Sequence, residues 1–255
     1  SGFRIFSVIV VGGVNIRPQI NALRRTNHFV IGTPGRVLDL INRGAFKPNN
    51  VSTVILDEAD RMLDMGFIND IRSIVSSTPK ERETLFFSAT MAGDTIKLVN
   101  EFLKDPVTIS VKKKDVTNSI EQNIVPYEQD TKFDTLISLL EDSEMRRIII
   151  FGAMKHSVKN LADQLSRKGV GADSIHGNKS HIQRQRALKK FKSGNTRVLV
   201  ATDVAARGIH VDNVSHVINY DLPNTFDDYV HRIGRTGRGD KRGKALTFVP
   251  TKGSR

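Results

Sequence analysis

The chain has 255 residues, 38% hydrophobic and 26% charged, as expected of a globular protein with one large or two medium domains, and no run of 18 apolar residues or basic-then-apolar leader at 1–11 marks a membrane span or signal peptide. It contains no cysteine, which excludes disulfides and thiolate metal sites and fits a reducing, cytoplasmic setting. Lysine and arginine exceed aspartate and glutamate by 39 to 27, giving +12 and a pI near 10.0, with +4 in residues 1–115 and +8 in 116–255; such a surface suits a partner rich in phosphate, although it also serves plain solubility.

Short β-branched runs alternate with amphipathic stretches along the whole chain, the pattern of buried parallel strands separated by helices. In the first half the runs are Ser7–Val11, Phe29–Ile31, Val54–Leu56, Leu85–Phe87 and Val107–Val111. The stretch Lys112–Ser119 is polar and charged, and reads either as a linker between two α/β domains, 1–111 and 120–255, or as a surface loop within one. Beyond it come strands Ile120–Val125, Ile148–Phe151, Ala172–Ile175, Val198–Ala201, Val217–Tyr220 and Ala245–Val249, with helices over Lys132–Leu140, His156–Arg167 and Ile182–Lys192. An open parallel sheet with helices on both faces is expected.

Ligands of such sheets bind beyond the carboxyl ends of the strands. The unusual polar clusters fall there: TPGR (33–36) after Phe29–Ile31, DEAD (57–60) after Val54–Leu56, SAT (88–90) after Leu85–Phe87, and ATDVAARG (201–208) after Arg197–Val200. A carboxylate such as Asp57 at a strand end suits Mg²⁺ held through water, and an adjacent Glu58 can orient and deprotonate an attacking water. Alternatively, the acidic residues simply open the next helix, where its dipole favours them. The segment His231–Arg238 presents Arg232, Arg235 and Arg238 among glycines. Guanidinium groups suit the spread charge of a transferring phosphoryl group, and equally a generic phosphate-binding loop. The histidines His176, His181, His210, His216 and His231 match no zinc spacing.

In order and spacing, Thr33–Arg36, Asp57–Asp60, Ser88–Thr90, Ala201–Gly208 and His231–Arg238 resemble the motifs of the DEAD-box RNA helicases, and LDEADRMLDMGF (56–67), HGNKS (176–180) and NYDLP (219–223) look most like bacterial RhlE-type members. The resemblance implies two RecA-like domains of the P-loop NTPase type with parallel sheets, closing on ATP and RNA together. By it, Asp57 would hold Mg²⁺, Glu58 would activate the water, and Arg235 and Arg238 would meet the γ-phosphate. Asp60, Ser88, Thr90, His231 and Arg232 would couple the nucleotide to the rest of the machine, and Asp203, Gly208 and His210 would face the nucleotide. RNA would lie on Gly12, Gly13, Thr33, Pro34, Gly35 and Arg36 in the first domain and on Phe151, Arg184 and Thr202 in the second. Binding through phosphate and ribose would be independent of sequence and sensitive to salt.

The chain also departs from the family. No G-x-x-x-x-G-K-[ST] occurs in the 255 residues, so the first domain is expected to be incomplete at its amino-terminal side. His210 stands where most members carry a ribose-contacting aspartate, His181 replaces a usual glutamine, and Gly152-Ala153 replaces polar residues. The leading expectation is RNA-stimulated ATP hydrolysis that opens short duplexes; the rivals are an RNA-binding module without catalysis and a plain scaffold.

Overall fold

The structure is a computed structural model that describes residues 4–89, 91, 93–110, 120–206, 211–237 and 242–251. The chain divides into two compact units, Ser1–Ser110 and Val111–Arg255. The expected linker at 112–119 lies outside the described residues.

In the second unit, aliphatic runs build six strands: β5 (Ile120–Tyr127), β6 (Ile148–Phe151), β7 (Ala172–Ile175), β8 (Val198–Ala201), β9 (His216–Asn219) and β10 (Gly243–Pro250). They form one sheet in the order β5-β10-β9-β6-β8-β7, every neighbour parallel. Of the four inner strands, β6, β8 and β9 are buried at every position, because side chains from both faces enter a core. On one face Ile148, Ile150, Val198, Val200 and Ile218 pack against α6 (Lys132–Leu140) and α7 (Lys155–Arg167). On the other, Ile149, Leu199 and Val217 meet α8 (His181–Lys192) through Ala187 and Phe191, and Ile120 and Ala245 meet α10 (Phe226–Ile233) through Ile233. Each such aliphatic side chain contributes about 1.5–3 kcal/mol by leaving water.

The first unit is built differently. Its strands β1 (Ser7–Val10), β2 (Phe29–Gly32), β3 (Thr53–Leu56) and β4 (Glu83–Phe86) form two separate parallel pairs, β1-β2 and β3-β4. Val8 and Val10 turn inward to α1 (Ile16–Leu23) and α2 (Pro34–Asn42), while Ile9 and Ile31 on the opposite face are 64% and 56% exposed. Likewise Leu56 packs with α4 (Ile68–Ser77) through Ile71 and Val75, whereas Ile55 is 51% exposed. Among the described residues each pair therefore has one covered face.

The strand expected at Val107–Val111 is corrected: residues 107–110 form no strand, and Val107 and Ile109 are among the most exposed apolar side chains. A parallel strand needs a neighbour for its N–H and C=O groups, and neither pair of the first unit extends to this segment.

Candidate functional site

The polar motifs of the first unit all follow the carboxyl ends of its strands. Beyond β1, Gly12 donates its N–H to Thr33 Oγ1 at 3.4 Å, joining the Gly12-Gly13 turn to the TPGR segment beyond β2. Thr33 is also tied back to β1 by its own N–H to Val10 O at 3.1 Å. Pro34 occupies the first turn of α2, where its missing N–H costs nothing. At Gly32 a Cβ would stand 2.5 Å from the Val10 carbonyl, so only glycine allows this approach. Arg36 donates through Nη2 to Val14 O at 3.1 Å, while its buried Nη1 has no partner among the described residues. Thr33 and Gly35 are exposed, leaving hydroxyl and backbone open to a ligand.

At the end of β3, Asp57 Oδ1 accepts the N–H of Glu58 at 2.9 Å. Glu58 has φ 51 and ψ 44, a left-handed backbone that costs a residue with a Cβ about 1–3 kcal/mol. Ala59 N–H donates to Phe87 O at 3.1 Å, and Phe87 N–H to Leu56 O at 2.8 Å, so the turn is pinned to β4 and leads into α3 (Ala59–Asp64). The result exposes the Asp57 and Glu58 carboxylates while Asp60 is buried, its Oδ1 accepting Arg61 N–H at 3.0 Å. Ser88 follows β4 and is half-buried; Thr90 lies outside the described residues.

In the second unit a single buried arginine organises the carboxyl edge. Arg232, on α10, donates from Nε and Nη2 to the two carboxylate oxygens of Asp203 at 2.6 and 2.8 Å. Its Nη1 reaches Asp221 O at 2.6 Å and Asn219 Oδ1 at 3.3 Å, and its guanidinium lies 5.1 Å from the centroid of the Phe151 ring. Asp203, assigned from sequence to the nucleotide, thus spends both oxygens on Arg232. Phe151, assigned to RNA, has its ring 2% exposed in the core. Of the residues that follow it, Gly152 is buried and Ala153 and Met154 are exposed.

That loop is held by a residue the sequence reading did not single out. Asp221 Oδ2 accepts Ala153 N–H at 2.9 Å, and Oδ1 accepts Lys132 Nζ at 2.9 Å. Lys132 in turn lies over the rings of Tyr220 and Tyr127, 4.1 and 4.9 Å from their centroids. Burial, and then the Asp221 charge, push the Tyr220 hydroxyl up to about 12, so it stays protonated. NYDLP carried the signal for Asp221, but nothing in the sequence marked Lys132.

Thr202 sits at the turn from β8 into α9 (Asp203–Ala206), its N–H donating to Ile175 O at 3.3 Å. Arg184 is half-buried on the first turn of α8, and its Nε has no partner among the described residues. His231 and Arg235 are half-buried at the end of α10 and just past it. Gly208, His210 and Arg238 lie outside the described residues. Among the described residues no group of three or more histidine, aspartate or glutamate side chains could hold a metal ion by itself.

Parallel α/β units with polar loops gathered at the strand ends define a class of nucleotide-handling protein, and comparison with known proteins gives the class its family. The DEAD/DEAH box helicase model matches residues 2–99, and the helicase conserved C-terminal domain model matches 131–240. The DEAD-box ATP-dependent RNA helicase CshA of Bacillus subtilis (strain 168) is 47% identical over 241 residues, 94% of this chain and 49% of that protein. CshA of Geobacillus kaustophilus (strain HTA426) is 46% identical over 96% of this chain and 53% of its own length. The chain thus spans about half the length of these curated relatives. Among solved structures, a DEAD box protein from Methanococcus jannaschii is 40% identical with a TM-score of 0.52, the match covering 98% of this chain and 67% of that one. S. cerevisiae Dbp5 bound to RNA and ADP BeF3 is 31% identical with a TM-score of 0.84, over 99% and 66% of the two chains. The fold is that of the RecA-like helicases. The chain belongs to the DEAD-box RNA helicase family.

Proposed function

We propose that the protein of which these residues form the helicase region hydrolyses ATP when RNA is bound, and uses the cycle to separate short RNA duplexes. The observation that carries this reading is the turn after β3. It presents two exposed carboxylates, Asp57 and Glu58, from a strained left-handed backbone pinned to β4. Strain retained at a strand end is a mark of a working site.

Among the described residues Asp57 has one partner, the Glu58 N–H, so most of its carboxylate lone pairs are free for the waters of a hydrated Mg²⁺. These hard oxygen donors fit that ion. When bound, Mg²⁺ supplies neutralisation of the phosphate charge. Glu58 orients the attacking water and takes its proton. Arg235 and Arg238 offset the charge that spreads over the transferring phosphoryl group. Asp60, Ser88, Thr90, His231 and Arg232 couple the nucleotide to RNA, and Gly208 and His210 face the nucleotide. Asp203 acts with them through its hold on Arg232.

RNA is assigned to Gly12, Gly13 and Thr33–Arg36 in the first unit and to the Phe151–Met154 turn, Arg184 and Thr202 in the second. These groups offer N–H, hydroxyl and guanidinium donors to phosphate and ribose, the 2′-hydroxyl telling RNA from DNA. The RhlE-like placement within the family rests on the wording of 56–67, 176–180 and 219–223.

Substituting Glu58→Gln in the full-length protein tests the reading. RNA-stimulated ATP turnover should fall by about 10²–10⁴-fold, with RNA affinity unchanged. Turnover at the parent rate would remove Glu58 from the reaction, and turnover indifferent to RNA would remove the RNA-dependent cycle.

A further inference from the structure

The second unit carries a concentration of positive charge that the site described above does not use. Between Asp173 and Asp203 the sequence contains seven lysines and arginines and no acidic residue. Two of the seven are consumed by the fold. Lys179 pairs with Asp173 at 2.7 Å, and Arg197 donates to the carbonyls of Met145 and Leu140. Arg184 belongs to the RNA groups assigned above. The remaining four, Arg186, Lys189, Lys190 and Lys192, all lie on α8 and are all exposed. Among the described residues none of the four has an ion pair.

The four differ from those exposed cations that sit beside carboxylates: Arg43 with Asp39, Arg72 with Glu101, Lys97 with Asp94 and Lys244 with Glu144, all at 2.6–2.8 Å. On α8, instead, Arg186 has Lys189 and Lys190 as its i+3 and i+4 neighbours, and Lys189 has Lys192. Like charges at those spacings weaken a helix. The helix dipole favours the three lysines of the last turn but not Arg186, two turns from the end. Ala187 and Phe191 anchor the opposite side of the helix in the core, so the stripe faces outward.

We propose that this stripe of α8 is a second RNA-contact surface, which holds the phosphates of a duplex arm flanking the bound single strand. The inference rests on the RNA reading above. It begins two residues after Arg184, so the arm continues from the assigned strand site. From Arg186 to Lys192 the stripe runs about 9 Å along the helix axis, by the rise per residue. It is convex and carries no aromatic ring for stacking on its outer face, which suits phosphate rails rather than unstacked bases. A duplex also offers twice the phosphate density of one strand over that length.

The test compares two RNA probes on the full-length protein: a short oligouridylate, and the same oligouridylate joined to a blunt duplex arm. Binding of each is followed across a salt series for the parent and for a variant carrying Arg186→Gln, Lys189→Gln, Lys190→Gln and Lys192→Gln. The variant should bind the bare strand as the parent does. It should bind the armed RNA about tenfold more weakly, with a log–log salt slope shallower by about 2, as expected for loss of two or three phosphate contacts. Its melting temperature should not fall, since like-charge neighbours are removed. Equal losses on both probes would make the stripe part of the single-strand path and overturn the proposal. No loss on either would overturn it too, leaving the stripe to an acidic protein. Failure of the parent to bind the bare strand would instead strike the RNA reading, and the inference would fall with it.

Discussion

Within these 255 residues the two units bury their short parallel strands to different extents. In the second, β6, β8 and β9 lie between helices on both faces, and every one of their side chains is buried. In the first, each strand pair is covered on one face, and Ile9, Ile31 and Ile55 stand in the open on the other. Yet both carry their polar motifs in the same place, just beyond the strand ends. Loop chemistry is set by the direction of the strands, whereas stability is set by how many faces they bury.

The contrast predicts where the molecule is fragile. The largest effect is expected at Arg232, whose side chain is 2% exposed and paired with Asp203. Arg232→Ala strands a carboxylate and should cost the second unit about 3–5 kcal/mol in chemical denaturation. An unchanged transition would mean that the network adds nothing to the fold. Next comes a matched pair of isoleucines. Ile150→Ala, at a fully buried position of β6, should cost about 2–4 kcal/mol, and Ile9→Ala, on the bare face of β1, less than about 0.5 kcal/mol. Equal costs would erase the difference between the units.

The smallest effect is one of pH. Burial holds the imidazoles of His176 and His216 below their ordinary range; nearby lysines, Lys179 and Lys244 first among them, act in the same direction. The unfolded chain therefore takes up protons that the folded one refuses. Stability is complete above the free-imidazole value, about 6.5, and is lost as pH falls from there towards the depressed folded values. Melting followed from pH 7.5 to 5.5 should show the second unit weakening on acidification. A constant melting temperature would contradict the burial of these rings.

Much of this was legible in the sequence where burial is two-sided. A strand covered on both faces reads as an unbroken apolar run, and Ile148–Phe151 and Val198–Ala201 were bounded to the residue, as were the edge strand Ala172–Ile175 and the helix Lys132–Leu140. Strands with polar ends were read short: β10 begins at Gly243-Lys244, before the apolar run starts, and β4 begins at Glu83-Thr84. Residues 107–110 are strand-like in sequence but have no pairing neighbour among the described residues, which local pattern cannot reveal. At the candidate site, motif order located the loops but not the partners within them. The Arg232–Asp203 pair joins residues 29 apart, and Lys132–Asp221 joins residues 89 apart. Such contacts are created by strand order, and only the sheet sequence β5-β10-β9-β6-β8-β7 brings them together. Phe151 was assigned to RNA by the resemblance alone; its ring is buried in the core, and the exposed residues of that turn are Ala153 and Met154.

The proposed function requires both Glu58 and Arg235 in the hydrolysis of ATP. A double-mutant cycle on single-turnover, RNA-stimulated hydrolysis by the full-length protein tests it most directly. Each of Glu58→Gln and Arg235→Ala should slow the chemical step by roughly 10²-fold or more, and the double variant should be scarcely slower than the worse single one, because groups acting on one transition state do not contribute independently. Effects that simply multiply would contradict it.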